Sequence, residues 1–423
     1  MIGKLIIASI LTGIITGVFI TIYEILILFM TYFIFMGDPI TTIPDLPVWY
    51  IYFVPTVAIF FVNYLSSKDK HIREYGINEI AESVYENRMT LKVKTLFLKV
   101  LASVLSLSSG FTVGTEGPSA GIGAMIAYQI HKWFQLPTML IKMMISVGAS
   151  AGVAAVFVSP LTGIAFAIEN IAYQFIKQYV TYLILASVIS FSIAINYLEA
   201  IQFFHSSEKL MNNDYIIANL IFIPFITSFI YLYLFLKKKV LHFIDIGIFK
   251  NFHAYRNHIF ALLGGSVIGT ILLIEPQAAF SGKEMVILLM NEEEHIPIIV
   301  IFTLIFLRIV GTTVAIYANA VGGVFLPLMS IGALTGYAFG ELMTQYIFDV
   351  EPFYFAAIGA SIFMGVIMKL PLTAVILSLE TTLDYNVVLA TGISVVLVEY
   401  FSNLHFNIKK RYVNKADKIE KGT

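Results

Sequence analysis

From about residue 3 to residue 404 the chain is a succession of apolar segments, and this decides what it can fold into. They fall at roughly 3–36, 49–65, 95–109, 118–134, 139–157, 160–176, 179–199, 215–236, 257–274, 298–318, 327–347, 353–366, 371–382 and 386–404. With 58% hydrophobic and 13% charged residues, there is too little charge to cover a water-soluble surface. The expectation is an all-α, multi-pass integral membrane protein. Several segments fall well short of the ~20 residues that cross ~30 Å of hydrocarbon. Short segments broken by Gly and Pro are tolerated at membrane depth only when packed in protein or lining a cavity. That pattern predicts many tilted and broken helices around a pore or binding site.

The first segment carries one lysine and then about 30 residues dominated by apolar side chains, too long for the apolar region of a signal peptide. It reads as a long, tilted membrane helix. Basic residues crowd into "SSKDKHIREYG" (66–76), "ENRMTLKVK" (87–94) and "NIKKRYVNKADKIEK" (407–421). The positive-inside rule puts these stretches, and with them both termini, in the cytoplasm, and the expected location is a bacterial plasma membrane. "GDPITTIPDLP" (37–47) and "NEEEH" (291–295) carry no Lys or Arg and fit the outer side. The residues from 406 to 423 make only a short cytoplasmic tail, with no room for a soluble regulatory domain.

A net charge of −1 offers nothing to a nucleic acid, and the absence of cysteine excludes disulfides, thiolate metal sites and a cysteine nucleophile. No H-E-x-x-H occurs, the eight histidines lie mostly in polar connections, and no metal or cofactor is expected. "GASAG" (148–152) fits the G-x-S-x-G pattern of a nucleophile elbow, so an intramembrane hydrolase is the rival from another class. That motif needs a strand–turn–helix setting with His and acid partners. Here it lies in a small-residue membrane segment.

The chain also resembles itself. "GTEGPSAGIGA" (114–124) sets against "GVFLPLMSIGA" (323–333) at an offset of 209. "GASAGVAAVFVSPLTGIAFAIE" (148–169) sets against "GASIFMGVIMKLPLTAVILSLE" (359–380) at an offset of 211. Two blocks in the same order at nearly the same offset predict a duplication, with one membrane repeat over 1–200 and a second over 210–405. Transporters built from repeats place their substrate between the halves, at discontinuous helices. In each half a Gly-rich turn runs into Pro and a helical pattern. Pro suits the first turn of a helix, glycines bare the backbone N–H groups, and the helix N-terminus carries about half a positive charge. An anion is the natural ligand; tight helix packing through small residues is the alternative.

These residues resemble the CLC family of chloride channels and chloride/proton antiporters. "GTEGP" (114–118) resembles its G-R-E-G-P signature, "GGVFLP" (322–327) its G-x-F-x-P, and "AGVAAVFVSPLTGIAFAIE" (151–169) its small-residue helix pair. "ETTLDYNVVL" (380–389) resembles the segment carrying its pore tyrosine. The resemblance covers residues 1–405 and implies a homodimer in the lipid bilayer, with one pore per subunit and an inverted two-fold repeat in each. It implies that Glu116 is the gating glutamate, a tethered anion that competes with chloride for the same donors and lets go when protonated. It further implies an anion site drawn from Tyr75, Gly76, Gly114, Thr115, Gly117, Pro118, Gly323, Val324, Phe325, Leu326 and Tyr385, the last through its hydroxyl. Protons then become a second partner.

Three positions depart from the family pattern. The G-S-G-x-P signature is replaced by "EYGIN" (74–78), which puts Tyr75 at the serine and Asn78 at the proline and leaves the anion preference open. Thr115 stands for the arginine of G-R-E-G-P. Asn170 occupies the place where coupled members carry an internal proton-transfer glutamate, and an amide does not relay a proton as an acid does. Glu169 beside it faces about 100° away on a helix; with its counterpart Glu380 it reads first as a structural acid among helix ends. Passive chloride conduction, chloride/proton exchange and export of a smaller halide such as fluoride all remain open.

Overall fold

The computed structural model describes residues 2–69, 71–74, 93–170, 176–200, 213–246, 256–289 and 296–420. Helices account for nearly all of them. In chain order the principal ones are α1 (Ile2–Phe35), α2 (Val48–Lys68), α3 (Val93–Ser108), α4 (Glu116–Trp133), α5 (Ile141–Phe157), α6 (Pro160–Asn170) and α7 (Ile176–Ala194). They continue as α8 (Asn213–Ile246), α9 (Arg256–Ile274), α10 (Ile298–Tyr317), α11 (Phe325–Tyr346), α12 (Pro352–Met368), α13 (Pro371–Thr382) and α14 (Tyr385–Glu420). Among the described residues, each apolar segment of the sequence carries one principal helix. In hydrocarbon a helix satisfies its own backbone, so a run of apolar residues has no competing solution. The last helix continues through the basic tail to Glu420 instead of stopping near residue 404.

Among the described residues, seven helical stretches are long and apolar enough to cross a membrane. At 1.5 Å per residue, the 34 residues of α1 extend about 50 Å, well beyond a ~30 Å hydrocarbon core. At 11 and 12 residues, α6 and α13 are too short to cross.

The largest helix–helix interfaces join α4 to α5 and α11 to α12, the blocks that repeat in sequence. Both depend on a pair of glycines. A Cβ on Gly123 would lie 2.0 Å from the Gly148 carbonyl oxygen, and one on Gly148 would lie 2.1 Å from that of Gly123. Gly332 and Gly359 repeat this, at 2.2 Å and 2.4 Å. The backbones touch, as small residues allow between membrane helices.

The two short helices meet through reciprocal caps. Glu380, in the last turn of α13, accepts hydrogen bonds from the amides of Leu161 (2.8 Å) and Thr162 (2.6 Å) at the start of α6. The Thr162 hydroxyl (2.7 Å) and the Ser159 hydroxyl donate to it as well. In return Glu169, at the end of α6, accepts from the amides of Leu372 (3.0 Å) and Thr373 (2.9 Å) and from the Thr373 hydroxyl (2.8 Å) at the start of α13. Each carboxylate takes up orphan N–H groups and faces the positive end of a helix dipole.

Candidate functional site

Two helix N-termini, one from each repeated block, meet inside the protein. Residues 111–115 bring the chain to the start of α4, and residues 320–324 bring it to the start of α11. The two turns pair as an isolated antiparallel bridge: the Gly114 amide donates to the Gly323 carbonyl at 2.8 Å, and the Gly323 amide donates to the Gly114 carbonyl at 2.7 Å. The Val321 amide donates to the Ser106 hydroxyl of α3 at 3.0 Å, which anchors the second turn. Gly117 brings α4 so close that a Cβ there would lie 3.2 Å from the Gly323 Cα. Pro118, buried in the first turn of α4, gives up no hydrogen bond there.

Glu116 lies at the centre of this meeting. It is fully buried, and its Oε1 accepts a hydrogen bond from the Phe325 amide at 2.6 Å. The Leu326 amide also faces the carboxylate. Both donors belong to the first turn of α11, where backbone N–H groups have no partner within the helix. A negative charge there is held by oriented amides and the helix dipole. Glycine on both sides leaves room for the carboxylate where it stands: a Cβ on Gly114 would lie 2.0 Å from Oε2, and one on Gly323 would lie 2.0 Å from Oε1. The Phe157 ring, at the end of α5, packs on Phe325 with centroids 4.5 Å apart. Gly322, Gly323 and Val324 are partly exposed, so the cluster borders an open face.

The structure thus brings together Gly114, Thr115, Glu116, Gly117, Pro118, Gly323, Val324, Phe325 and Leu326. Tyr75, Gly76 and Asn78 lie outside the described residues. Tyr385 requires a correction. It is the first residue of α14, 69% exposed, and it does not join the cluster. The chain turns there through Leu383 at φ 52°, and Asp384 accepts the Asn386 amide at 2.8 Å. This turn directs the tyrosine away from the core. Glu169 is engaged in capping α13, and Asn170 follows it, half-buried, as the last residue of α6.

Thr115 is 4% exposed and precedes α4, but its hydroxyl is not spent on the helix. It lies near the carboxylate of Glu24 in α1, a residue the motif reading passed over. A signal was there: Glu24 is the one acid in the 34 residues of α1. Ser106 and Phe157, which support the loop and Phe325, carried no signal of their own. Ser150, the serine of "GASAG", sits in the middle of α5, bonded to the Gly163 carbonyl (3.0 Å) and the Ser187 hydroxyl (2.6 Å). That is helix packing, not a strand–turn–helix elbow.

Comparison with known proteins gives a consistent result. The family model described as "Voltage gated chloride channel" matches residues 54–403. The H(+)/Cl(-) exchange transporter ClcA of Salmonella paratyphi B is 29% identical over 330 residues, covering 74% of this chain and 67% of that protein. Its counterpart in Salmonella newport gives the same figures. Among solved structures, a slow cyanobacterial Cl-/H+ antiporter superposes with a TM-score of 0.83 at 22% identity, over 95% of this chain and 94% of that one. A CLC-type fluoride/proton antiporter gives 0.76 at 20% identity, over 95% of each chain.

Proposed function

The chain belongs to the voltage gated chloride channel family, and from that premise we propose that it moves chloride across the membrane in exchange for protons, with Glu116 as the gate. One observation carries this reading: the Glu116 carboxylate occupies the amide of Phe325 beside the paired turns at Gly114 and Gly323. A carboxylate held by backbone donors stands where a chloride ion would stand. When Glu116 is ionised it competes with chloride; when it takes a proton the amides are free for the ion. Backbone amides suit permeation because they attract an anion without the grip of a full positive charge, and the ion must also leave.

Gly114 to Pro118 and Gly323 to Leu326 are the proposed walls of the site. Function as a homodimer in a bacterial plasma membrane, with both termini in the cytoplasm, belongs to the same reading. Chloride exchange by the ClcA relatives favours chloride over fluoride. The fluoride/proton antiporter of like fold, together with the departure at Tyr75, supports fluoride as the second reading.

Reconstituted liposomes test it, with chloride efflux and external pH recorded together. Chloride efflux with proton uptake in a constant ratio is expected. Efflux without pH change would make the protein a passive conductor; fluoride efflux without chloride efflux would establish the second reading.

A further inference from the structure

Helices α8 and α14 pack together and are tied partway along, where the Tyr231 hydroxyl donates to the Phe401 carbonyl at 2.9 Å. Nearer their first residues they part around a cavity of about 230 Å³, away from the gate. The end of the cavity near the helix starts is polar, lined by Tyr215 and Asn219 of α8, Tyr354 of α12 and Asn386 of α14. Further along come Leu220, Ile223, Leu389 and Ile393, an apolar stretch apart from Ser394. Leu220, Leu389 and Ile393 are at least half exposed, so the cavity opens sideways. Lys237–Lys239 approach the far end of α8 and the basic stretch 407–421 closes α14, so the charge pattern puts the polar end on the outer side.

The polar end is rich in acceptors. The Tyr215 hydroxyl accepts the Glu351 amide at 3.1 Å, and the Tyr354 hydroxyl accepts from Asn219 Nδ2 at 3.0 Å. Each phenol keeps its own proton to give. Asn219 Oδ1 and Glu351 Oε2 are shut off from solvent with no hydrogen-bond partner among the described residues. A buried acceptor left unpaired costs free energy until a donor reaches it. Asp384 adds a second acid at this rim, accepting the amide of Asn386 at 2.8 Å.

We propose that this cavity holds one phospholipid of the outer leaflet whose head carries a primary ammonium, that is, a phosphatidylethanolamine. The ammonium supplies three donors and a positive charge to a rim that holds two acids and an unpaired amide oxygen. The Tyr215 and Tyr354 hydroxyls donate to its phosphate or ester oxygens. Below the head, one acyl chain lies against Leu220, Ile223, Leu389 and Ile393. From Asn386 to Ile393 the helix advances about 10 Å, enough for the first carbons of the chain. The volume is below the ~300 Å³ at which pockets begin to enclose a whole drug-sized ligand. The rest of the lipid therefore stays in the bilayer, reached through the open side.

The test uses the full chain in detergent, stripped of lipid and then given equal amounts of phosphatidylethanolamine, phosphatidylcholine and phosphatidylglycerol with the same acyl chains. Phosphatidylcholine keeps the positive charge but lacks the N–H donors, and phosphatidylglycerol lacks the charge. Native mass spectrometry counts the lipids kept by each chain. One phosphatidylethanolamine per chain should be retained at least ~3-fold more than either of the others. Ile393→Trp fills the cavity from its open side, and Asn219→Leu removes the unpaired acceptor. Each should bring phosphatidylethanolamine down to the level of phosphatidylcholine. If either variant does not fold, Leu389→Trp takes its place, since Leu389 is half exposed and tolerates a larger side chain there. Equal retention of the three lipids by the parent, or a preference for phosphatidylglycerol, overturns the proposal. So does a preference for phosphatidylethanolamine that survives filling the cavity, which would put the lipid elsewhere, and so does a lipid-free dimer whose second copy covers this face.

Discussion

The substitution Glu116→Gln separates the charge of the gate from its shape. The ionised side chain takes the Phe325 amide at 2.6 Å and faces that of Leu326. A hydrogen bond to a charged group is worth about 1.5–3 kcal/mol, and a neutral one about 0.5–1.5 kcal/mol. Replacing the carboxylate by an amide therefore weakens the hold on these two donors by roughly 2–3 kcal/mol in total. Since 1.4 kcal/mol is tenfold, chloride at neutral pH should bind the variant about 30- to 150-fold more tightly than the parent. The parent should approach the variant on acidification, because protonation removes the same competing charge. Titration calorimetry with chloride on detergent-purified protein, at neutral and acid pH, reads both numbers. If the two proteins bind chloride within about twofold of each other at neutral pH, the carboxylate and the ion do not share these amides. A pH dependence that persists in Glu116→Gln would place the titrating group elsewhere.

Two further outcomes follow from the same contacts. Glu380→Ala strips the start of α6 of a carboxylate that takes two amides and two hydroxyls, at a cost of about 2–3 kcal/mol after allowance for partial exposure, seen as a lower unfolding midpoint in detergent. Tyr385→Phe should leave chloride affinity unchanged, because the hydroxyl lies on an exposed turn; a clear loss in calorimetry would return this tyrosine to the anion site.

Much of this site was legible in the sequence. "GTEGP" and "GVFLP" announce themselves through glycine, which bares backbone amides, and through proline, which suits a helix start. Both effects are local, so a linear motif records them. The resemblance of "ETTLDYNVVL" to a pore segment misled because a motif gives the identity of a side chain and not its direction. One left-handed residue, Leu383, turns Tyr385 outward. Glu24 was missed for the opposite reason: it belongs to no motif, and its neighbour Thr115 lies 91 residues along the chain.

By itself the sequence determined that the chain spans a membrane, roughly where its helices lie, and that two Gly-rich turns stand ready for an anion. Those properties follow from backbone hydrogen bonding in hydrocarbon and from the conformational limits of Gly and Pro, which act within a few residues. Only the tertiary structure decided which groups meet: Glu116 with Phe325, Glu380 with the start of α6, Glu169 with the start of α13. Such pairings depend on how far each helix is rotated and tilted against its neighbours. That is settled by close contacts such as Gly123 on Gly148, made between residues that no local rule connects.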